Sequence, residues 1–142
     1  MNVLFFLTPK HEVAYIYDDF TLRQALEKME YHRYTSVPVI NKQGKYVGTI
    51  TEGDLLWFIK NEYNMNLREA EKVLVKDIPR NNDKMPVDIH ANIEDLILSA
   101  VNQNFVPVMN EDGTFIGIVT RKDIMKYCYD EYLYHQEEIA VR

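Results

Sequence analysis

A single cysteine, Cys128, is all the thiol chemistry that this chain of 142 residues carries. One cysteine closes no internal disulfide and builds no cysteine-based metal site. It fits a reducing compartment, so a cytoplasmic location is expected. Long apolar runs are equally scarce. The opening Val3-Leu4-Phe5-Phe6-Leu7 stops at Thr8-Pro9-Lys10. That is too short for the apolar region of a signal peptide, and no small-residue cleavage site follows. It reads as a core strand or a short helix. Nothing later reaches the run that a bilayer span needs. Positive charge is in deficit, with 16 Lys and Arg against 22 Asp and Glu and a formal net charge of -6. Nucleic acid and anionic membrane both require a basic surface, so neither is an expected partner.

Catalytic signatures are missing too. His11, His32, His90 and His135 are scattered without metal-ligand spacing. No G-x-S-x-G, P-loop or G-x-G-x-x-G occurs. Asp18-Asp19 reads as a solvated turn, and Cys128 falls on the apolar face of a helix as a core residue. Neither enzymatic activity, a metal nor a cofactor is expected.

What is present is ordinary globular composition, 46% apolar and 27% charged, which excludes disorder and a bare coiled coil. It is organised by a duplication. Val37-Pro38-Val39-Ile40-Asn41, then Gly44, Gly48, Thr51 and Asp54, recur without a gap as Val106-Pro107-Val108-Met109-Asn110, then Gly113, Gly117, Thr120 and Asp123. Each copy predicts a strand, a turn at the first glycine, a second strand, and a helix after the Thr. Upstream, Thr21 and Asn92 are good caps for helices with one apolar face: Leu22, Ala25, Leu26 and Met29, then Ile93, Leu96, Ile97 and Ala100. Short apolar stretches, Val13 to Ile16 and Val87 to Ile89, precede those helices. The passage from Met29 to Val37 is two residues longer than that from Ala100 to Val106, so any site there is asymmetric. The fold class is therefore α+β, two tandem β-α-β-β-α repeats. One repeat is marginal alone, and packing two sheet to sheet solves that problem. The expected boundaries are residues 1–62 for the first repeat, 63–78 for a connecting helical segment running from Asn64 to Lys76, and 79–142 for the second.

The doubled pattern, apolar-Pro-Val, then Gly-x-x-x-Gly, then Thr-x-x-Asp, resembles the cystathionine β-synthase (CBS) domain family, over about Thr8 to Tyr129. The resemblance implies a pair with pseudo-two-fold symmetry, two clefts between the repeats, and a sensor of adenine nucleotides that often associates into a flat dimer. It is similar to small stand-alone bacterial pairs, some of which bind cyclic di-AMP. Output would pass to a separate effector protein.

The resemblance places an adenine near Lys10, Val13 and Tyr15, then Tyr34, Thr35, Ser36, Val37 and Pro38. In the second copy the counterparts are Val87, then Asn104, Phe105, Val106 and Pro107. Tyr34 or Phe105 could stack on a base, or Phe105 could be core. Pro38 and Pro107 are expected at a sheet edge, where an amide is not needed. Thr51 with Asp54, and Thr120 with Asp123, read from residue chemistry alone as helix caps. In the family's pattern the same geometry turns the Thr and the helix amides toward phosphate, and the Asp toward ribose hydroxyls. Arg121 and Lys122 replace Glu52 and Gly53, which makes the Thr120 cleft the expected phosphate site. The aromatic helices around Trp57, Tyr63, Tyr127, Tyr129, Tyr132 and Tyr134 read as core or as a homodimer face. The rival to a nucleotide sensor is a protein-assembly module with no small-molecule ligand.

Overall fold

The computed structural model describes residues 2–62, 66–81 and 85–141. A 3-10 turn (Val3–Phe6), strand β1 (Thr8–Pro9) and a second 3-10 turn (Lys10–Glu12) open the chain. The first repeat follows as β2 (Ile16–Tyr17), α1 (Leu22–His32), β3 (Ser36–Ile40), β4 (Tyr46–Thr51) and α2 (Glu52–Asn61). The second runs β5 (Val87–Asp88), α4 (Ile93–Ala100), β6 (Phe105–Met109), β7 (Phe115–Thr120) and α5 (Arg121–Val141). Between them lie a four-residue helix, α3 (Leu67–Ala70), and a 3-10 turn at Val75–Asp77. The connector is thus two short pieces rather than one helix from Asn64 to Lys76. Asn64 and Tyr63 lie outside the described residues.

The caps form as the sequence requires. The Thr21 hydroxyl accepts from the Gln24 amide at 3.1 Å, and Gln24 accepts from the Thr21 amide at 2.8 Å. Asn92 and Asp95 make the same reciprocal pair at α4. Each such cap stabilises its helix by about 1 kcal/mol.

The two sheets share one register. β2 pairs parallel to β3 with Ile16 beside Val39, and β3 pairs antiparallel to β4 with Val37 beside Ile50. In the second repeat Val87 stands beside Val108 and Val106 beside Val119. The strands and their following helices close two cores. One holds Ile16, Leu22, Val37, Val39, Ile50 and Leu55, and the other Leu96, Val106, Val108, Val119 and Ile124. Each buried aliphatic side chain contributes about 1.5–3 kcal/mol.

The cores do not follow chain order. Val3 and Phe6, near the N-terminus, are buried in the second repeat's core. β1 adds to the outer side of β7, with Thr8 beside Ile118 and Pro9 beside Gly117. Gly117 makes that crossing possible. Its φ is 154°, and a Cβ there would sit 2.2 Å from the Thr8 carbonyl oxygen. In the opposite sense, Ala70, Val75 and Ile78 from the connector are buried in the first core.

A pseudo-two-fold axis passes between the hairpin turns. The Tyr46 amide donates to the Gly113 carbonyl at 3.0 Å, and the Phe115 amide donates to the Gly44 carbonyl at 2.9 Å. Gly44 and Gly113 have φ of 81° and 89°, the left-handed turn that glycine adopts without strain. Lys45 reinforces the junction, donating to the Asp112 carbonyl at 2.7 Å and approaching its carboxylate at 3.3 Å. Among the described residues, no helix is long and apolar enough to cross a membrane.

Candidate functional site

The central strands are only half paired on the side away from the hairpin partner. β2 begins opposite Val39, so Ser36, Val37 and Pro38 have no strand partner on that side. Pro38 therefore lies in a central strand, not an edge strand, and its missing amide falls where no ladder bond is made. Pro107 repeats this, because β5 begins opposite Val108.

The unpaired stretch of β3 forms one wall of a cleft of about 310 Å³. Tyr34, Ser36 and Pro38 come from the first repeat, and Asn104, Phe105, Ile118 and Thr120 from the second. Thr8, Glu12, Val13 and Ala14 complete the lining. The cleft thus gathers hydroxyls from Thr8, Ser36 and Thr120, the Asn104 amide, and apolar surface from Val13, Pro38 and Ile118. Its rim is joined by a bond across the pseudo-two-fold, from the Asn104 side-chain amide to the Thr35 hydroxyl at 3.3 Å. Thr35 and Asn104 are equivalent positions. Their carbonyls accept from the Glu52 and Arg121 amides respectively, each at 2.9 Å. Next to Asn104, the buried Gln103 donates to the Ser99 carbonyl, and its Oε1 has no partner among the described residues.

Other expected residues stand elsewhere. Val37 and Val106 are core, and Pro107 is buried in β6 outside the cleft lining. Val87 packs against the second core. The Lys10 ammonium lies 5.2 Å from the centre of the Tyr15 ring, and Lys28 covers the same ring at 5.5 Å. Tyr15 packs edgewise on Tyr17 and Phe115 rather than lining the cleft. Burial, then the neighbouring Tyr17, raises its phenol above the ordinary value. The Tyr34 ring is already stacked on His32, with centroids 5.1 Å apart.

The two Thr-Asp pairs are not equivalent. At Thr51 the capping box is closed: the Asp54 amide donates to the Thr51 hydroxyl at 3.1 Å, and the Thr51 amide to one Asp54 oxygen at 2.9 Å. The other Asp54 oxygen accepts from the Asn81 amide at 3.2 Å. Asp54 is 7% exposed, so a ribose meets no free carboxylate there. At Thr120 only half of the box exists, the Asp123 amide donating to the hydroxyl at 3.2 Å.

Arg121 corrects the phosphate expectation. Its Nε donates to the Ala100 carbonyl at 2.8 Å, at the C-terminal end of α4. Helix C-terminal carbonyls lack intrahelical donors and carry partial negative charge, so they attract the guanidinium. Among the described residues, neither Arg121, Lys122 nor Lys10 lines the cleft, and the one charged residue in the lining is Glu12. The cleft therefore suits a base and a sugar better than it suits phosphate.

Thr8, Glu12, Ala14 and Ile118 were not singled out from the sequence. Thr8, Glu12 and Ala14 reach the cleft because β1 crosses onto β7, where Pro9 lies beside Gly117. A larger, more open groove of about 930 Å³ runs between α1 and α2. Leu26, Met29, Leu55, Leu56 and Ile59 form its apolar part, with Arg23, Arg33, Glu27 and Glu30 also lining it. Among the described residues it contains no Ser, Thr or Asn, and it is a helix face rather than a ligand cleft.

Comparison with known proteins follows the same outline. The CBS domain model matches residues 6–61 and 75–130. The MJ1225 protein of Methanocaldococcus jannaschii is 25% identical over 132 residues, covering 84% of this chain and 47% of that protein. The chain spans less than two-thirds of the first curated relatives that it matches. A crystal structure of CbpB in complex with c-di-AMP superposes with a TM-score of 0.84 at 24% identity, over 97% of this chain and 91% of that one. That likeness is one of fold. A crystal structure of CBSX2 in complex with AMP superposes with a TM-score of 0.72 at 26% identity, over 92% of this chain and 98% of that one.

Proposed function

This chain belongs to the CBS domain family, with two copies in tandem, and from that premise we propose that it is a non-enzymatic regulatory module binding an adenine-containing nucleotide between its repeats. The observation that carries this reading is the cleft at Thr120. It is bounded by both repeats, has Thr8, Ser36, Thr120 and Asn104 in its lining beside apolar surface, and has the size of a small-ligand site. AMP held by CBSX2 supports the ligand class, and c-di-AMP held by CbpB is a second candidate of that class. The adenosine part fills the cleft, and any phosphate extends beyond a lining that has no cation among the described residues. Occupancy stiffens the contact between Thr35 and Asn104 and so changes how the repeats bear on a separate effector. Such a change requires a ligand that prefers one arrangement over another.

The module acts as a homodimer in this reading. Exposed apolar side chains on three helices support it: Leu56 and Trp57 on α2, Leu98 on α4, and Tyr129 and Tyr132 on α5. The same observation favours the second reading, an assembly module whose cleft takes no ligand. Thermal-shift titration with AMP, ADP, ATP and cyclic di-AMP separates the two. A nucleotide at about 100 times its Kd adds about 2.7 kcal/mol of stability. A flat response to all four contradicts the nucleotide reading and leaves assembly.

A further inference from the structure

The helix α5 runs 21 residues, but its packing onto the protein ends early. Ile124 is buried, and Tyr127 and Cys128 pack on the second core. From Tyr129 to Val141 every residue is exposed. An isolated helix of that length is marginal in water. Something beyond the described residues must therefore cover this segment.

The sequence of α5 says what does. Met125, Tyr129, Tyr132, Gln136 and Ile139 are spaced alternately four and three residues apart, which places them on one face. Met125, Tyr129, Tyr132 and Ile139 are 60–65% exposed, so the stripe is uncovered along its whole length. One flank of that stripe carries Lys126 near the start of the helix and Glu137 near its end. A second copy of α5 lying antiparallel places the same flanks face to face, with Lys126 of each against Glu137 of the other. The parallel arrangement instead puts the two acidic ends side by side.

We propose that α5 pairs antiparallel with α5 of a second copy, the two-fold axis passing near Tyr132. That register sets Met125 against Ile139 of the partner helix and buries both ends of the stripe. The pairing is isologous and closes as a dimer. This deepens the homodimer reading and rests on it.

The test measures dimer dissociation of the full chain by analytical ultracentrifugation. Lys126→Glu and Glu137→Lys each weaken dimerisation about tenfold, and the double variant recovers most of the loss, because the exchanged charges meet again. Cross-linking fixes the orientation in a Cys128→Ser background. Tyr132→Cys oxidises to a covalent dimer. Met125→Cys alone does not, yet it cross-links when mixed with Ile139→Cys. All of these side chains are exposed, and circular dichroism checks that each variant folds. A chain monomeric at every concentration overturns both this pairing and the homodimer reading. A dimer unmoved by the charge reversals, with no Tyr132→Cys cross-link, overturns the pairing alone. Efficient Met125→Cys self-cross-linking overturns the antiparallel orientation.

Discussion

Asp54 and Asp123 hold equivalent places in the two repeats, yet only Asp54 has both carboxylate oxygens occupied, by the Thr51 and Asn81 amides. Among the described residues the Asp123 carboxylate accepts no hydrogen bond, and its amide alone meets Thr120. The duplicated motif has therefore divided its two uses. One copy locks a helix start to the chain that enters the second repeat. The other keeps an acid available.

The division predicts opposite phenotypes. Asp54→Ala strips the acceptor from two backbone amides and lowers the unfolding free energy by about 2–3 kcal/mol. Asp123→Ala removes only a helix-start acid and costs about 0.3–1 kcal/mol. Urea denaturation of both variants checks this. Equal losses would show that the two motifs remain equivalent.

Gly117→Ala tests the crossing of β1. The new Cβ would meet the Thr8 carbonyl at 2.2 Å and the Leu7 side chain at 2.9 Å. Backbone must move, because the closest atom is not the end of a flexible side chain. A loss of about 3 kcal/mol or more is expected, at the upper end of ordinary single substitutions. Amide exchange should quicken first at Ile118, the residue beside Thr8. A neutral substitution would mean that β1 is not held there.

Arg121→Ala should act on folding rather than on phosphate. It removes a charged donor from the Ala100 carbonyl, an interaction worth about 1.5–3 kcal/mol. Its effect on affinity should be equal for adenosine and AMP, measured by calorimetry. A loss confined to AMP would return Arg121 to the phosphate.

The second hairpin turn, and with it the Lys45 contact across the repeats, should weaken in acid. The Thr114 side chain and amide, then Lys45, hold the Asp112 carboxyl at about 2, well below its ordinary 3.8. An acid whose folded value is depressed stabilises the fold fully above its unfolded value, and the contribution is lost as pH falls through the folded one. The loss therefore runs from about pH 4 down to pH 2. Melting curves of the wild type and Asp112→Asn should converge over that window and separate above it. Parallel curves throughout would remove Asp112 from the junction.

Much of this was legible in the sequence because it is local. Thr21, Asn92 and Thr51 cap helices through partners three residues away, and Gly44 and Gly113 turn hairpins within their own strands. The duplication then set one register for both sheets. What the sequence concealed is non-local. No spacing announces that Thr8 pairs with Ile118, or that Val3 enters the second core. The cleft inherits that difficulty, since Thr8, Glu12 and Ala14 line it only through the crossing. Arg121 was hard to place for a related reason. Its position after Thr120 suggested an anion, while the end of α4 that it meets is set by tertiary packing.

Occupancy of the cleft at Thr120 by an adenine nucleotide decides between the two readings. Methyl-resolved nuclear magnetic resonance of the full chain, titrated with AMP, tests it most directly. Val13 and Ile118 line that cleft, while Leu26, Leu56 and Ile59 line the α1–α2 groove. The account predicts saturable shifts at Val13 and Ile118 with the groove methyls unmoved. Shifts confined to Leu26, Leu56 and Ile59, or none at either place with AMP and cyclic di-AMP alike, would contradict it.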